Sequence, residues 1–152
     1  MPTLTSLLAL ILFAGFAVAA GDRFYALFDD PPIRTVPALW FGVIGAAVGW
    51  SFVGGRIRHN IPMAAWIGVQ GVLLLILWSL IVFGIMEVFA RGYARQYDGV
   101  TEALLGWFAI ARENLEVMAE PDFALFLLIG GMVIGILCAL FFRVAEARRN
   151  QR

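Results

Sequence analysis

Five polar residues in this sequence are placed where they could do chemistry. Gln70 sits inside a run of 26 uncharged residues from Ile61 to Met86, and Glu87 closes that run. Arg91 follows Glu87 by four residues, the spacing at which opposite charges on one helix can pair. Tyr97 and Asp98 come next, after a basic residue at Arg95. A carboxylate at the edge of an apolar segment, with a guanidinium, a phenol and a second carboxylate close in sequence, has three sharp readings. It is a gate, a ligand carboxylate or a small enzymatic site, since perturbed carboxylates mark such places. The plainer reading of Glu87 and Arg91 is an interfacial ion pair of small energetic weight. Gln70 either lines a polar path or hydrogen-bonds a neighbouring helix.

The remaining reactive side chains narrow the chemistry. Cys138 is the only cysteine and His59 the only histidine. One cysteine excludes an internal disulfide, a CxxC redox motif and a multi-thiolate metal site. Within an apolar segment Cys138 reads as a small apolar filler. His59 stands between Arg58 and Asn60 with no cysteine or carboxylate partner nearby, so it reads as a surface histidine. There is no Cys/His cluster, no intramembrane His pair for haem, no glycine-rich phosphate loop and no credible Ser-His-Asp set. The sequence therefore reads as non-enzymatic, with no catalytic residue, no cofactor and no metal. Its net charge of zero gives no reason to expect nucleic acid.

The elements that must position these residues follow from composition. Of 152 residues, 62% are hydrophobic and only 14% charged, against roughly 45–50% and about 25% in an ordinary soluble domain. A bilayer core needs about 20 mostly apolar residues per helix. Four segments qualify: residues 4–20, 36–55, 61–87 and 122–142. Backbone polar groups in lipid must be paired within each segment, so these segments should be helices. The expected fold is all-α, a single membrane domain over residues 1–152 with four transmembrane helices. Ala17-Val18-Ala19 resembles a signal cleavage site, but Met1–Ser6 has no basic side chain, so the first span reads as a retained helix.

Arginine placement orients the spans. Arg56 and Arg58 lie between spans two and three, and Arg143, Arg148, Arg149 and Arg152 follow span four. With four spans these regions share a side, which places both termini in the cytoplasm. Asp22, Asp29, Asp30, Asp98 and most of the glutamates then face outward. Between spans three and four, Val100, Leu104, Trp107, Phe108, Ala111, Leu115 and Met118 recur at helical spacing, while Glu102, Glu113, Glu116 and Glu120 occupy other faces. This predicts an amphipathic helix over residues 99–119, closed by Pro121, lying on the membrane surface or over the outer mouth of the bundle.

Helices in lipid associate through small residues. Span two carries Gly45-xxx-Gly49, and span four carries Gly131-xxx-Gly135-xxx-Ala139. These stripes predict that spans two and four cross closely, within one chain or between chains. The partners expected are the lipid bilayer and a second copy or a larger membrane complex.

The order of features resembles the TrgA family, small bacterial membrane proteins associated with tellurite resistance. The likeness runs from Met1-Pro2-Thr3 through Gly45-Ala46-Ala47-Val48-Gly49-Trp50, Val53-Gly54 and the basic turn. It continues with Leu77-Trp78-Ser79-Leu80, Glu87, Tyr97-Asp98-Gly99 and Glu102-Ala103, and ends with Gly130-Gly131, Gly135 and the basic tail. The resemblance implies a role in tellurite tolerance in the bacterial inner membrane and brings no catalytic residues. Two mechanisms fit: a non-catalytic interaction or scaffold protein, or an oligomeric module that moves or excludes an oxyanion or related solute.

Overall fold

The computed structural model describes residues 4–28, 39–57, 60–93 and 99–149, and within these the fold is entirely helical. The helices are α1 (Leu4–Ala26), α2 (Leu39–Val48), α3 (Gly54–Arg56), α4 (Ile61–Tyr93), α5 (Val100–Met118) and α6 (Pro121–Arg149). A π-helical turn, Gly49–Val53, joins α2 to α3. Three helices are long and apolar enough to cross a membrane, over Leu4–Ala26, Ile61–Phe89 and Pro121–Ala145. The remaining expected span is divided by the π turn, so no single regular helix of that length exists there.

The π turn has a clear effect on packing. The N–H of Gly54 donates to the carbonyl of Gly49, five residues back, where an α-helix would use four. One extra residue is thereby inserted into the turn, and the stripe that faces α1 becomes Gly45, Gly49, Gly54. A Cβ added at Gly45 would overlap the Phe13 carbonyl oxygen, and one at Gly49 would overlap that of Ala9. One at Gly54 would lie 2.5 Å from Cα of Ser6. Rising numbers on α2 thus meet falling numbers on α1, so the two helices run antiparallel in backbone contact. The Ser51 hydroxyl donates to the Ala47 carbonyl at 2.6 Å, a back-bond common where helices deviate from regularity.

A second backbone contact joins α4 to α6. A Cβ on Gly68 would overlap the Gly131 carbonyl oxygen, and one on Gly135 would overlap that of Ala64. One on Gly131 would come within 3.0 Å of the Gly68 carbonyl oxygen and 2.8 Å of a Val72 methyl. The hydrogen that replaces the Cβ therefore points at a facing carbonyl, the geometry of weak Cα–H···O contacts. The expectation that spans two and four cross at their glycines is corrected here. The stripe of span two is filled by α1, and that of span four by α4, because each glycine row needs a facing row of small residues. Ala9 and Ala17 on α1, and Ala64 and Gly68 on α4, provide those rows.

The two helix pairs meet around Phe13 and Val53, both fully buried. A Cβ on Gly71 of α4 would lie 2.6 Å from Val53 and 2.7 Å from Phe13. This glycine lets α4 close over the pair formed by α1 and the π turn. Near the other end, an aromatic row links α1 to α6. Phe16 and Phe126 have ring centroids 5.3 Å apart, and Phe24 and Phe123 are 6.2 Å apart. Phe41 of α2 and Phe83 of α4 approach to 4.4 Å.

Overpacking such a seam costs about 1–3 kcal/mol. Gly135→Ala should lower stability by about that amount in detergent-mediated unfolding followed by circular dichroism. Gly15→Ala is the matched control, because a Cβ there meets nothing within 4 Å. That change should be neutral or stabilising by up to about 1 kcal/mol through helix propensity.

Candidate functional site

Of the five polar candidates, Gln70 and Glu87 have described side chains, and they stand far apart on one helix, about 25 Å at 1.5 Å per residue. Gln70 lies on α4, whose buried residues in this stretch are Ala64, Ile67, Gly68, Gly71, Val72, Leu75 and Ser79. At about 100° per residue, Gln70 is roughly 200° around the helix from Gly68. It shares its face with Met63, Trp66, Leu73 and Leu77, all exposed. Gln70, itself half-buried, lies mainly on this exposed side of α4, about 60° around the helix from the buried Ile67. Glu87 is half-buried near the end of α4. Arg91 contributes helical backbone, with its side chain outside the described set; Tyr97 and Asp98 lie outside the described residues altogether.

What the fold does build is an apolar junction where α1, α2, α4, α5 and α6 meet. Phe24, Phe41, Leu75, Met118 and Phe123 line a cavity of about 30 Å³ there. Its one polar lining side chain is Ser79, 4% exposed, whose hydroxyl has no hydrogen-bond partner among the described residues. The space would admit one water, but a buried water needs two to four polar partners, and this lining offers one. Apart from Ser79, the side chains that line the junction are apolar. Elsewhere among the described residues the other buried polar side chains are Thr5 and Ser6, and no charged side chain is buried. No group of three His, Cys, Asp or Glu residues gathers among them either. Cys138 is fully buried in the core with Ala139.

The amphipathic helix docks at this end. Trp107 of α5 sits on Gly84 of α4, where a Cβ would overlap the indole nitrogen. That nitrogen is buried without a hydrogen-bond partner among the described residues. Ile110 is buried, while Trp107, Ala111, Val117 and Met118 are partly covered. This bundle-facing row differs from the expected apolar face. Leu104, Phe108 and Leu115 are exposed, because the helix presents a broad apolar surface and only its Trp107 side fits the glycine notch. The opposite charges of Arg112 and Glu116 pair at 3.2 Å in full exposure, a contact of little stabilising weight.

Sequence reading missed several of these residues. Ala64-xxx-Gly68 is itself a small-xxx-small pattern and would have named α4 as a partner of the last helix. Gly84 and Trp107 carried no local signal, since a glycine notch has meaning only once another helix fills it. No protein-family model, curated protein or solved structure matches the chain, so the likeness to the TrgA family rests on the motifs of the sequence.

An unpartnered buried hydroxyl costs about 1–3 kcal/mol. Ser79→Ala should therefore leave stability unchanged or raise it by up to that amount, measured by the same unfolding titration. A clear loss of stability would mean that the hydroxyl holds a bound group and that the junction is wet.

Proposed function

We propose that this chain is a four-span, non-catalytic protein of the bacterial inner membrane that supports tellurite tolerance by associating with itself or with a larger envelope complex. The observation that carries this reading is the character of the interior. Where helices meet, backbone faces backbone at glycine, and the buried polar residues described are Thr5, Ser6 and Ser79. A route for an oxyanion needs donors along a wetted path, so this interior favours the interaction reading over the transport one.

The fourth span is the run from α2 through the π turn to α3, residues 39–56, which is continuous in helical backbone. Antiparallel pairing of α1 with α2 and of α4 with α6 suits an up-down order of four crossings. The arginines at the C-terminal ends of α3 (Arg56) and α6 (Arg143, Arg148 and Arg149) then share one side, and the positive-inside rule assigns it to the cytoplasm together with both termini. Tellurite tolerance comes from the resemblance alone.

The outward face of α4 suggests how association works. A glutamine amide turned toward hydrocarbon gains by hydrogen-bonding across to another helix, by about 0.6–2 kcal/mol. Gln70→Leu should weaken self-association about three- to thirtyfold, read by energy transfer between labelled copies in bilayers. The cellular test is growth in tellurite of a deletion strain carrying wild type, Gln70→Leu or Glu87→Ala. The interaction reading expects loss of rescue with Gln70→Leu and full rescue with Glu87→Ala at equal membrane abundance. Failure of Glu87→Ala would favour chemistry at the helix end. Unchanged tolerance on deletion would remove the tellurite role.

A further inference from the structure

Between α1 and α6, on the outer surface of the bundle, runs a groove of about 550 Å³, within the roughly 300–1,000 Å³ usual for ligand sites. Its walls are apolar, with Leu12 and Phe16 on one side and Ile129 and Val133 on the other. At one end stand two opposite charges, Arg23 and Asp122, both exposed and both on the lining. The Arg23 guanidinium lies 4.4 Å from the centroid of the Phe126 ring, so its charge is fixed at the rim by the ring below it.

The length of the groove is informative. From Arg23 back to Leu12 the helix advances about 16 Å at 1.5 Å per residue. That is close to half of the ~30 Å hydrocarbon core, the depth of one leaflet. An apolar trough one leaflet deep, ending in a cation and an anion at the level of the headgroups, matches one kind of molecule. We propose that the α1–α6 groove binds a zwitterionic phospholipid with a primary ammonium headgroup. One acyl chain lies along Leu12, Phe16, Ile129 and Val133, the phosphate takes charge-assisted hydrogen bonds from Arg23, and the ammonium donates to Asp122. An anionic lipid satisfies Arg23 but meets Asp122 as a like charge. A quaternary ammonium lipid satisfies the charges but has no N–H to donate to the carboxylate.

The test uses the full chain in mild detergent with equal amounts of phosphatidylethanolamine, phosphatidylcholine and phosphatidylglycerol, and counts retained lipids by native mass spectrometry. One phosphatidylethanolamine should be retained in preference to the other two. Arg23→Gln should lower its retention about tenfold, the weight of one charge-assisted hydrogen bond, and Arg23→Lys should recover part of it. Asp122→Asn should abolish the preference over phosphatidylglycerol while leaving a lipid bound. Val133→Trp, which fills the trough without touching the charges, should displace the lipid. Retention unaffected by Arg23→Gln, or a wild-type preference for phosphatidylglycerol or for phosphatidylcholine, would overturn the proposal. Both charged residues are exposed, so their variants should keep the helical circular dichroism of the parent, and that is the control.

Discussion

Helices in lipid cannot be driven together by burying apolar surface, because the lipid tails they would leave are as apolar as their own side chains. What remains is contact area gained by letting backbones approach, and that needs positions without a side chain. The rest of this molecule depends on that constraint. Gly68, Gly131 and Gly135 put α4 and α6 in backbone contact, and Gly45, Gly49 and Gly54 do the same for α2 and α3 against α1. The π turn belongs to this logic. Without its extra residue, Gly54 would rotate off the seam and a side chain would meet Ser6 in its place. The helix gives up regular hydrogen bonding over one turn and keeps its close approach along its whole length.

Once the pairs are formed, the larger side chains fill what the glycines leave. Phe13 and Val53 occupy the centre, where Gly71 makes room for them. The aromatic row of Phe16, Phe126, Phe24 and Phe123 closes the α1–α6 side toward one end. α5 is anchored by an indole in a glycine notch, with Ile110 buried beside it and Met118 in the junction, and shows Leu104, Leu105 and Phe108 outward. An apolar face of that size suits the boundary between headgroups and acyl chains.

The same packing explains where polar groups stand. A charge inside such a seam would need partners that backbone contact excludes, so charges collect at helix ends. Arg23 and Asp122 are there, at the mouth of a groove that exists because Phe16 packs over Gly130 and leaves the flank between α1 and α6 open.

Much of this was legible in the residues. The apolar runs over 4–20, 61–87 and 122–142 correspond to α1, α4 and α6, because length and lack of charge are properties of a segment by itself. α5 was legible as amphipathic for the same reason, and its observed extent, Val100–Met118, lies within one residue of the expected one. The glycine stripes were visible as patterns too. Their partners were not: a stripe says that a backbone will come close and is silent on which. The sequence alone placed Gly45 and Gly135 among packing residues; only the tertiary structure decided that the first faces Phe13 and the second Ala64. It also decided that Gln70 lies mainly on the exposed side of α4, that Trp107 is the anchor of α5, and that Arg23 and Asp122 share one rim. Each of these is a relation between segments far apart in the chain, fixed by which small-residue rows fit against each other, and no local pattern encodes that fit.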